Sequence, residues 1–219
     1  MNPYYQEDGI TIYCGDCREI LPSLEPDAII TDPVWPNCPP GKITGHDRPY
    51  ELFAEFCALI PSSAIRLVVE MRNDCDPRFL GPVPARLPFL QAIWLQYVMP
   101  GYLGRVLGGN ELAYVFGIPI RFTPGRQVIP SVSPKAQPGD RPANGHPMSR
   151  ALAHQSFIVN WCSDHDELIV DPFCGSGTTL HAAKNHGRQA IGIEIEERFC
   201  EIAAKRLAQR VLPLCGVAR

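Results

Sequence analysis

Apolar residues in this chain gather in short runs, several of which end on an acid or a glycine. Ile10 to Cys14 alternates and is rich in β-branched residues, which predicts a strand. Residues 27–31 (DAIIT), 65–71, 87–97, 111–117, 168–171 and 190–195 predict further strands, about seven in all. Between them the apolar spacing becomes helical. Leu52, Phe53, Phe56 and Leu59 mark a helix over 50–60, and 149–161 reads as an amphipathic helix with Ser149 as its N-cap. Residues 178–186 and 197–211 follow, the latter with Phe199, Ile202, Ala203 and Leu207 on one face. Strands alternating with helices predict an α/β fold around a mostly parallel sheet.

Residues 167–196 organise the rest. Leu168–Val170 run into Asp171, then a glycine turn at Gly175 and Gly177, a helix start at Thr178 and Thr179, and a second strand carrying Glu194. The glycines permit positive φ and let a ligand lie against the backbone. The free N–H groups at the helix start favour an anionic group. Glu194 falls 19 residues after Gly175, where an acid would grip a ribose diol. This pattern alone points to a cofactor that carries adenosine.

A second site lies early. The strand at 27–31 runs into Asp32, Pro33, Val34 and Trp35: an acid at a strand end, a proline-stiffened turn and a large aromatic expected to be exposed, a surface suited to a planar group. Residues 36–49 are a Pro- and Gly-rich loop with Lys42, His46 and Arg48 as basic points. Residues 118–147 hold Arg121, Arg126, Lys135 and Arg141 among prolines and glycines. They read either as a flexible linker or as a recognition segment touching a polyanion.

Composition narrows the class. With 219 residues, 45% hydrophobic and 20% charged, a single soluble globular domain is expected. No apolar stretch has the length of a membrane helix and the first residues do not read as a signal peptide, so a cytoplasmic location is expected. The nine cysteines lack a disulfide spacing, and the single C-x-x-C at Cys14 and Cys17 has no second ligand pair, so no metal is expected. A net charge of −3 neither advertises nor excludes nucleic acid.

In this order the motifs resemble the β-class amino-methyltransferases, which methylate exocyclic amines of adenine or cytosine with S-adenosylmethionine. TDPVW (31–35) is similar to the family's Asp-Pro-Pro-Tyr/Trp catalytic motif, HPMSR (146–150) to the His-Pro-Thr-x-Lys segment, and DPFCGSGTT (171–179) to the cofactor loop. GIEIEERFCEIAAKRL (192–207) is similar to the ribose-binding strand and helix, and YCGDCREIL (13–21) to the segment whose Asp lies near adenine. Two positions depart: Val34 stands for the second proline and Arg150 for the lysine. Valine keeps a backbone carbonyl but loosens the turn, and arginine pairs with an anion in a different geometry.

The resemblance implies a Rossmann-like class I methyltransferase sheet with helices on both faces and one antiparallel strand. It implies one domain, with a catalytic region at 10–117, a small recognition segment at 118–145 and a cofactor region at 146–211. Asp32 and Pro33 would accept the amine hydrogens while Trp35 stacks on a base flipped out of DNA. Asp16, Ser149, Asp171, Phe173, Gly175, Gly177, Thr178, Thr179 and Glu194 would hold S-adenosylmethionine, Asp171 through the methionine amine or a loop amide. His146 is expected to be structural. Lys42, Arg126, Lys135 and Arg141 would contact nucleic acid.

The implied activity is N6-adenine methylation of DNA, as in restriction–modification. N4-cytosine, RNA and a catalytically silent binding relative stay open, as does a homodimer. Methyl transfer needs near-attack geometry, so strands 168–171 and 27–32 should be parallel central neighbours. Ile10–Cys14 should lie beyond 190–194, and 111–117 should run antiparallel.

Overall fold

The computed structural model describes residues 2–98, 102–103, 106–107, 111–120, 129–140 and 145–209. Its strands in chain order are β1 (Tyr5–Glu7), β2 (Ile10–Cys14), β3 (Ala28–Thr31), β4 (Arg66–Arg72), β5 (Phe89–Leu95), β6 (Tyr102–Leu103), β7 (Val106–Leu107), β8 (Glu111–Gly117), β9 (Leu168–Asp171) and β10 (Gln189–Glu194). The α-helices are α1 (Cys17–Ile20), α2 (Pro49–Ala58), α3 (Leu152–Cys162), α4 (Thr178–Asn185) and α5 (Glu197–Ala208). Eight strands form one sheet in the order β1-β2-β10-β9-β3-β4-β8-β5, and β6 and β7 form a separate antiparallel pair.

The expected order holds. β9 and β3 are parallel central neighbours, with Ala28 opposite Ile169 and Ile29 opposite Val170. β2 lies beyond β10, and β8 runs antiparallel to both β4 and β5. Among the described residues the main sheet has eight strands where about seven were expected, two of them antiparallel rather than one. The addition is β1, a three-residue edge strand pairing antiparallel with β2. Its YQE sequence carries no apolar run, so only the turn at Asp8 (φ 51°) and Gly9 (φ 77°) betrays it.

Both faces of the sheet are covered, which is why β3 and β4 read as continuous apolar runs rather than alternating ones. Ile30 and Val68 point into a core shared with Ile158, Leu180, Cys200 and Leu207 of α3, α4 and α5. Their strand neighbours Ile29, Leu67 and Val69 point the other way, onto Ile20, Phe53 and Phe56 of α1 and α2. Among the described residues no helix is long and apolar enough to cross a membrane.

Residues 131–136 do not behave as a free linker. They run along the outer edge of β5: Trp94 N donates to Ser131 O (2.8 Å), Ser133 N to Trp94 O (2.9 Å) and Ala136 N to Gln96 O (2.8 Å). The bridges Trp94–Val132 and Tyr97–Ala136 are parallel.

Candidate active site

Because β9 and β3 are parallel, the Gly loop after one and the Asp-Pro turn after the other open on the same sheet edge. A cavity of about 330 Å³ lies there. Asp32, Pro33 and Trp35 border it on one side, and Asp16, Phe173, Gly175, Thr178, Thr179 and Glu194 on the other, with Ser149 and Asp171 also in its wall.

The Gly loop is shaped by its own fold. Gly175 and Gly177 have φ of 50° and 72°, the left-handed region. A Cβ at Gly175 would stand 3.0 Å from His146 Nε2, and one at Gly177 2.9 Å from Ala203 Cβ. The His146 ring also meets Phe199 edge-on at 4.3 Å. Burial above all, with the Arg150 charge, pushes its pKa down to about 4, so it is neutral. Glu194 caps the loop, Oε2 accepting from Gly175 N (2.9 Å) and Oε1 from Glu196 N (2.8 Å). Burial raises its pKa to about 7 against the pull of those two N–H groups.

Asp171 is 2% exposed. Its Oδ1 accepts from Thr31 Oγ1 (3.0 Å) and from Phe173 N (3.2 Å), the loop-amide role of the two expected. Burial raises its pKa to about 6, opposed by hydrogen bonds from Thr179, Phe173 and Thr31. Asp16 caps α1 through Arg18 N (2.9 Å) and is gripped by the Arg18 side chain, whose hydrogen bonds hold its carboxyl below the usual range.

Two expectations need correction. Ser149 is not an N-cap: α3 begins three residues later with Ala151 as N-cap, and Ser149 Oγ instead meets Ser176 Oγ at 3.0 Å. Trp35 is not an exposed plate. It is 3% exposed, its Nε1 donates to Glu70 O (3.1 Å), and the Arg150 guanidinium lies 4.0 Å above its ring. The indole found a backbone acceptor and a cation, which outweigh exposure for a group with one polar atom.

The Asp32 side of the cavity also brings in Glu111 and Glu70, which the motifs did not single out. Arg150 forks onto Asp32 through Nε–Oδ2 (2.6 Å) and Nη2–Oδ1 (2.8 Å), while its Nη1 donates to Glu111 Oε1 (2.5 Å). Glu70, in the middle of β4, is 1% exposed; its Oε1 accepts from Gln155 Nε2 (2.5 Å) and its Oε2 has no partner among the described residues. Burial first, then the Asp32 charge, pushes its pKa up to about 8. Asp32 itself is raised to about 7 by burial, with Glu111 and Asp171 adding to the rise and Arg150 opposing it. An acid inside the apolar run RLVVEMR was the available signal for Glu70.

Of the residues expected to touch nucleic acid, Lys42 and Lys135 are exposed and stand outside the cavity wall. Arg126 and Arg141 lie outside the described residues.

The sequence profile of a DNA methylase family matches residues 83–205. A putative methylase of Escherichia coli K12, YubD, is 33% identical over 211 residues, covering 89% of this chain and 88% of that protein. The type II methyltransferase M.ScaI of Streptomyces caespitosus is 38% identical over 79 residues, which cover 36% of this chain and 26% of that enzyme's length. Among solved structures, the M1.HpyAVI–SAM complex superposes with a TM-score of 0.67 at 26% identity, over 91% of this chain and all of that one. The cytosine-N4-specific PvuII DNA methyltransferase superposes with a TM-score of 0.70 over 96% of this chain and 90% of that one; at 17% identity it speaks to the fold alone. Matched along most of its length, the chain belongs to the N6/N4 DNA methylase family.

Proposed function

We propose that this protein transfers a methyl group from S-adenosylmethionine to the exocyclic N6 amine of adenine in DNA. The observation that carries the reading is the shared cavity: Asp32 and Pro33 after β3 meet the Gly loop after the adjacent parallel strand β9, with Glu194 and Asp16 at the ends of β10 and β2 beyond it. The names of relatives support it, M.ScaI as a type II methyltransferase and M1.HpyAVI as a complex with SAM.

The residues suit that cofactor. Each Glu194 oxygen accepts one backbone N–H and keeps a lone pair for a ribose hydroxyl. Ile195, 51% exposed, and Phe173 present apolar surface to the cavity for an adenine ring. Ser149, Ser176 and the free N–H groups at the start of α4 suit a carboxylate. When bound, the cofactor supplies an electrophilic methyl group on a sulfonium.

The chain's own work is on the acceptor. An exocyclic amine is a poor nucleophile because its lone pair is delocalised into the ring. Asp32 and the Pro33 carbonyl, accepting its two hydrogens, draw the nitrogen toward tetrahedral geometry and aim the lone pair along the transfer line. As the N–C bond forms, the amine proton passes to Asp32. The base must leave the duplex to reach this point. Trp35, with Arg150 over its ring, forms part of the wall where it would enter. An aspartate at position 32 favours adenine, since cytosine enzymes of the resembling family more often carry serine there.

Tritiated S-adenosylmethionine incubated with duplex DNA, followed by nucleoside analysis, tests the proposal. Label in N6-methyladenine is expected. Label in N4-methylcytosine or only in RNA would move the substrate, and cofactor binding without transfer would indicate a silent relative.

A further inference from the structure

We propose that Glu111 and Tyr97 are positioning residues for methyl transfer: Glu111 holds the Arg150 guanidinium that orients Asp32, and Tyr97 ties this clamp to the segment docked on β5. The inference rests on the methyl-transfer reading of Asp32.

Every nitrogen of the Arg150 guanidinium has an acceptor: Nε and Nη2 face the two Asp32 oxygens, and Nη1 faces Glu111. Its plane is held over Trp35. The fork takes one lone pair from each Asp32 oxygen and leaves the others for the cavity, so its orientation sets where Asp32 can accept a hydrogen. The Arg150 and Glu111 side chains are only 7% and 5% exposed, against 22% for Asp32. Water therefore cannot replace Glu111 cheaply, and without it the guanidinium has a buried donor to satisfy elsewhere.

Glu111 is itself held. Tyr97 donates from its hydroxyl to Glu111 Oε2 at 2.8 Å, and its ring meets His154 edge-on at 4.7 Å. Tyr97 also bridges to Ala136, and Val98 N donates to Ala136 O (3.0 Å). Three side chains, Tyr97, Glu111 and Arg150, thus connect the docked segment to Asp32, the methyl-transfer acid. Neither Tyr97 nor Glu111 lines the cavity, so both act through Arg150 rather than on substrate. Among the described residues, Arg150, Glu111, Glu70 on β4, Asp171 on β9 and Cys38 are charged or titratable groups around Asp32.

The test measures cofactor affinity by calorimetry and the pH dependence of kcat and KM for methyl transfer to DNA, in the parent protein and in E111Q, Y97F, R150K and R150M. E111Q and Y97F should bind S-adenosylmethionine as the parent does and lose roughly ten- to a hundredfold in kcat, the scale of a misplaced reacting group, with little change in KM. E111Q should move the acid limb to lower pH, because a negative neighbour of Asp32 is gone. R150M should move it to higher pH, because the positive one is gone. R150K keeps the charge without the fork, so its limb should stay while kcat falls. A packing role would lower the melting temperature and leave the limb in place. Parental kcat and pH profile in E111Q would overturn the inference while the methyl-transfer reading stands. A parent that binds cofactor and methylates neither DNA nor RNA would overturn both.

Discussion

Thr31 Oγ1 donates a hydrogen bond to Asp171 Oδ1 at 3.0 Å, joining residues 140 positions apart in the chain. The bond crosses from the end of β3 to the end of β9, one residue before Asp32. It pins the two strand ends at the level where both sites begin. Thr31→Val keeps the shape and removes the bond. It should cost about 1 kcal/mol of stability, as a typical buried hydrogen bond does. Asp171→Ala should cost more, because Thr31 and Phe173 N both lose their acceptor. Calorimetry should show S-adenosylmethionine binding weakened in both, more in the alanine variant. Unchanged affinity in both would remove the cofactor assignment.

Gly175→Val places a β-branched side chain at a φ of 50°, with its Cβ 3.0 Å from the His146 ring. The backbone strain alone is about 1–3 kcal/mol. A lower melting temperature and loss of cofactor binding are expected. A variant that binds at parental affinity would show that the loop conformation is not needed.

Asp32→Asn keeps the shape but replaces an acceptor oxygen by a donor. Cofactor affinity should persist while methyl transfer falls by roughly 10²- to 10⁴-fold, the usual share of a proton-accepting group. In the proposed mechanism, only ionised Asp32 accepts both the amine hydrogen and, later, its proton. With a pKa of about 7, raised by burial, activity should climb as pH rises through that value and level off above it. A flat profile between pH 5.5 and 8.5 would count against this role for Asp32.

Glu70 gives a stability test. Its folded pKa, pushed to about 8 by burial, lies above the ordinary value of 4.5. Below 4.5 both folded and unfolded chains hold the proton, and between 4.5 and about 8 only the folded chain does. Stability therefore falls as pH rises across that window, and the full penalty is present above it. Glu70→Gln mimics the protonated side chain. Its melting temperature should depend less on pH from 6 to 9 than the parent's, and it should be the more stable of the two at the alkaline end.

Lys135 is exposed on the segment docked along β5. Lys135→Ala should weaken duplex DNA binding at low salt and reduce the slope of log affinity against log salt by about 0.9 for a lost phosphate contact. An unaltered slope would place the DNA backbone elsewhere.

The strands and both loops were legible because they depend on local chemistry: an acid closing an apolar run, glycines where φ is positive, helical spacing after the turn. The neighbouring of β3 and β9 was expected from the methyl-transfer reading that the resemblance implied, and the structure has it. What escaped was decided by distant partners. Trp35 is covered by Arg150, 115 residues later in the chain, and hydrogen-bonded to Glu70 O. Nothing near position 35 announces either. Ser149 reads as an N-cap by type, but Ser176 takes its hydroxyl and the helix starts at Leu152. Glu111 looks like an ordinary polar strand start until Arg150 is folded against it.

The segment at 131–136 is fastened to β5 through main-chain atoms, with Trp94, Ser131, Ser133, Gln96 and Ala136 all bonded by backbone groups. A strip attached in this way does not depend on the identity of its outward side chains. Ser131, Val132, Pro134 and Lys135 are exposed, and only Ser133 and Ala136 are buried there. The outward positions can be rewritten without disturbing the sheet, the cavity or the register of β3 against β9. Such an attachment lets a lineage vary the outward surface of this strip while inheriting the cavity intact.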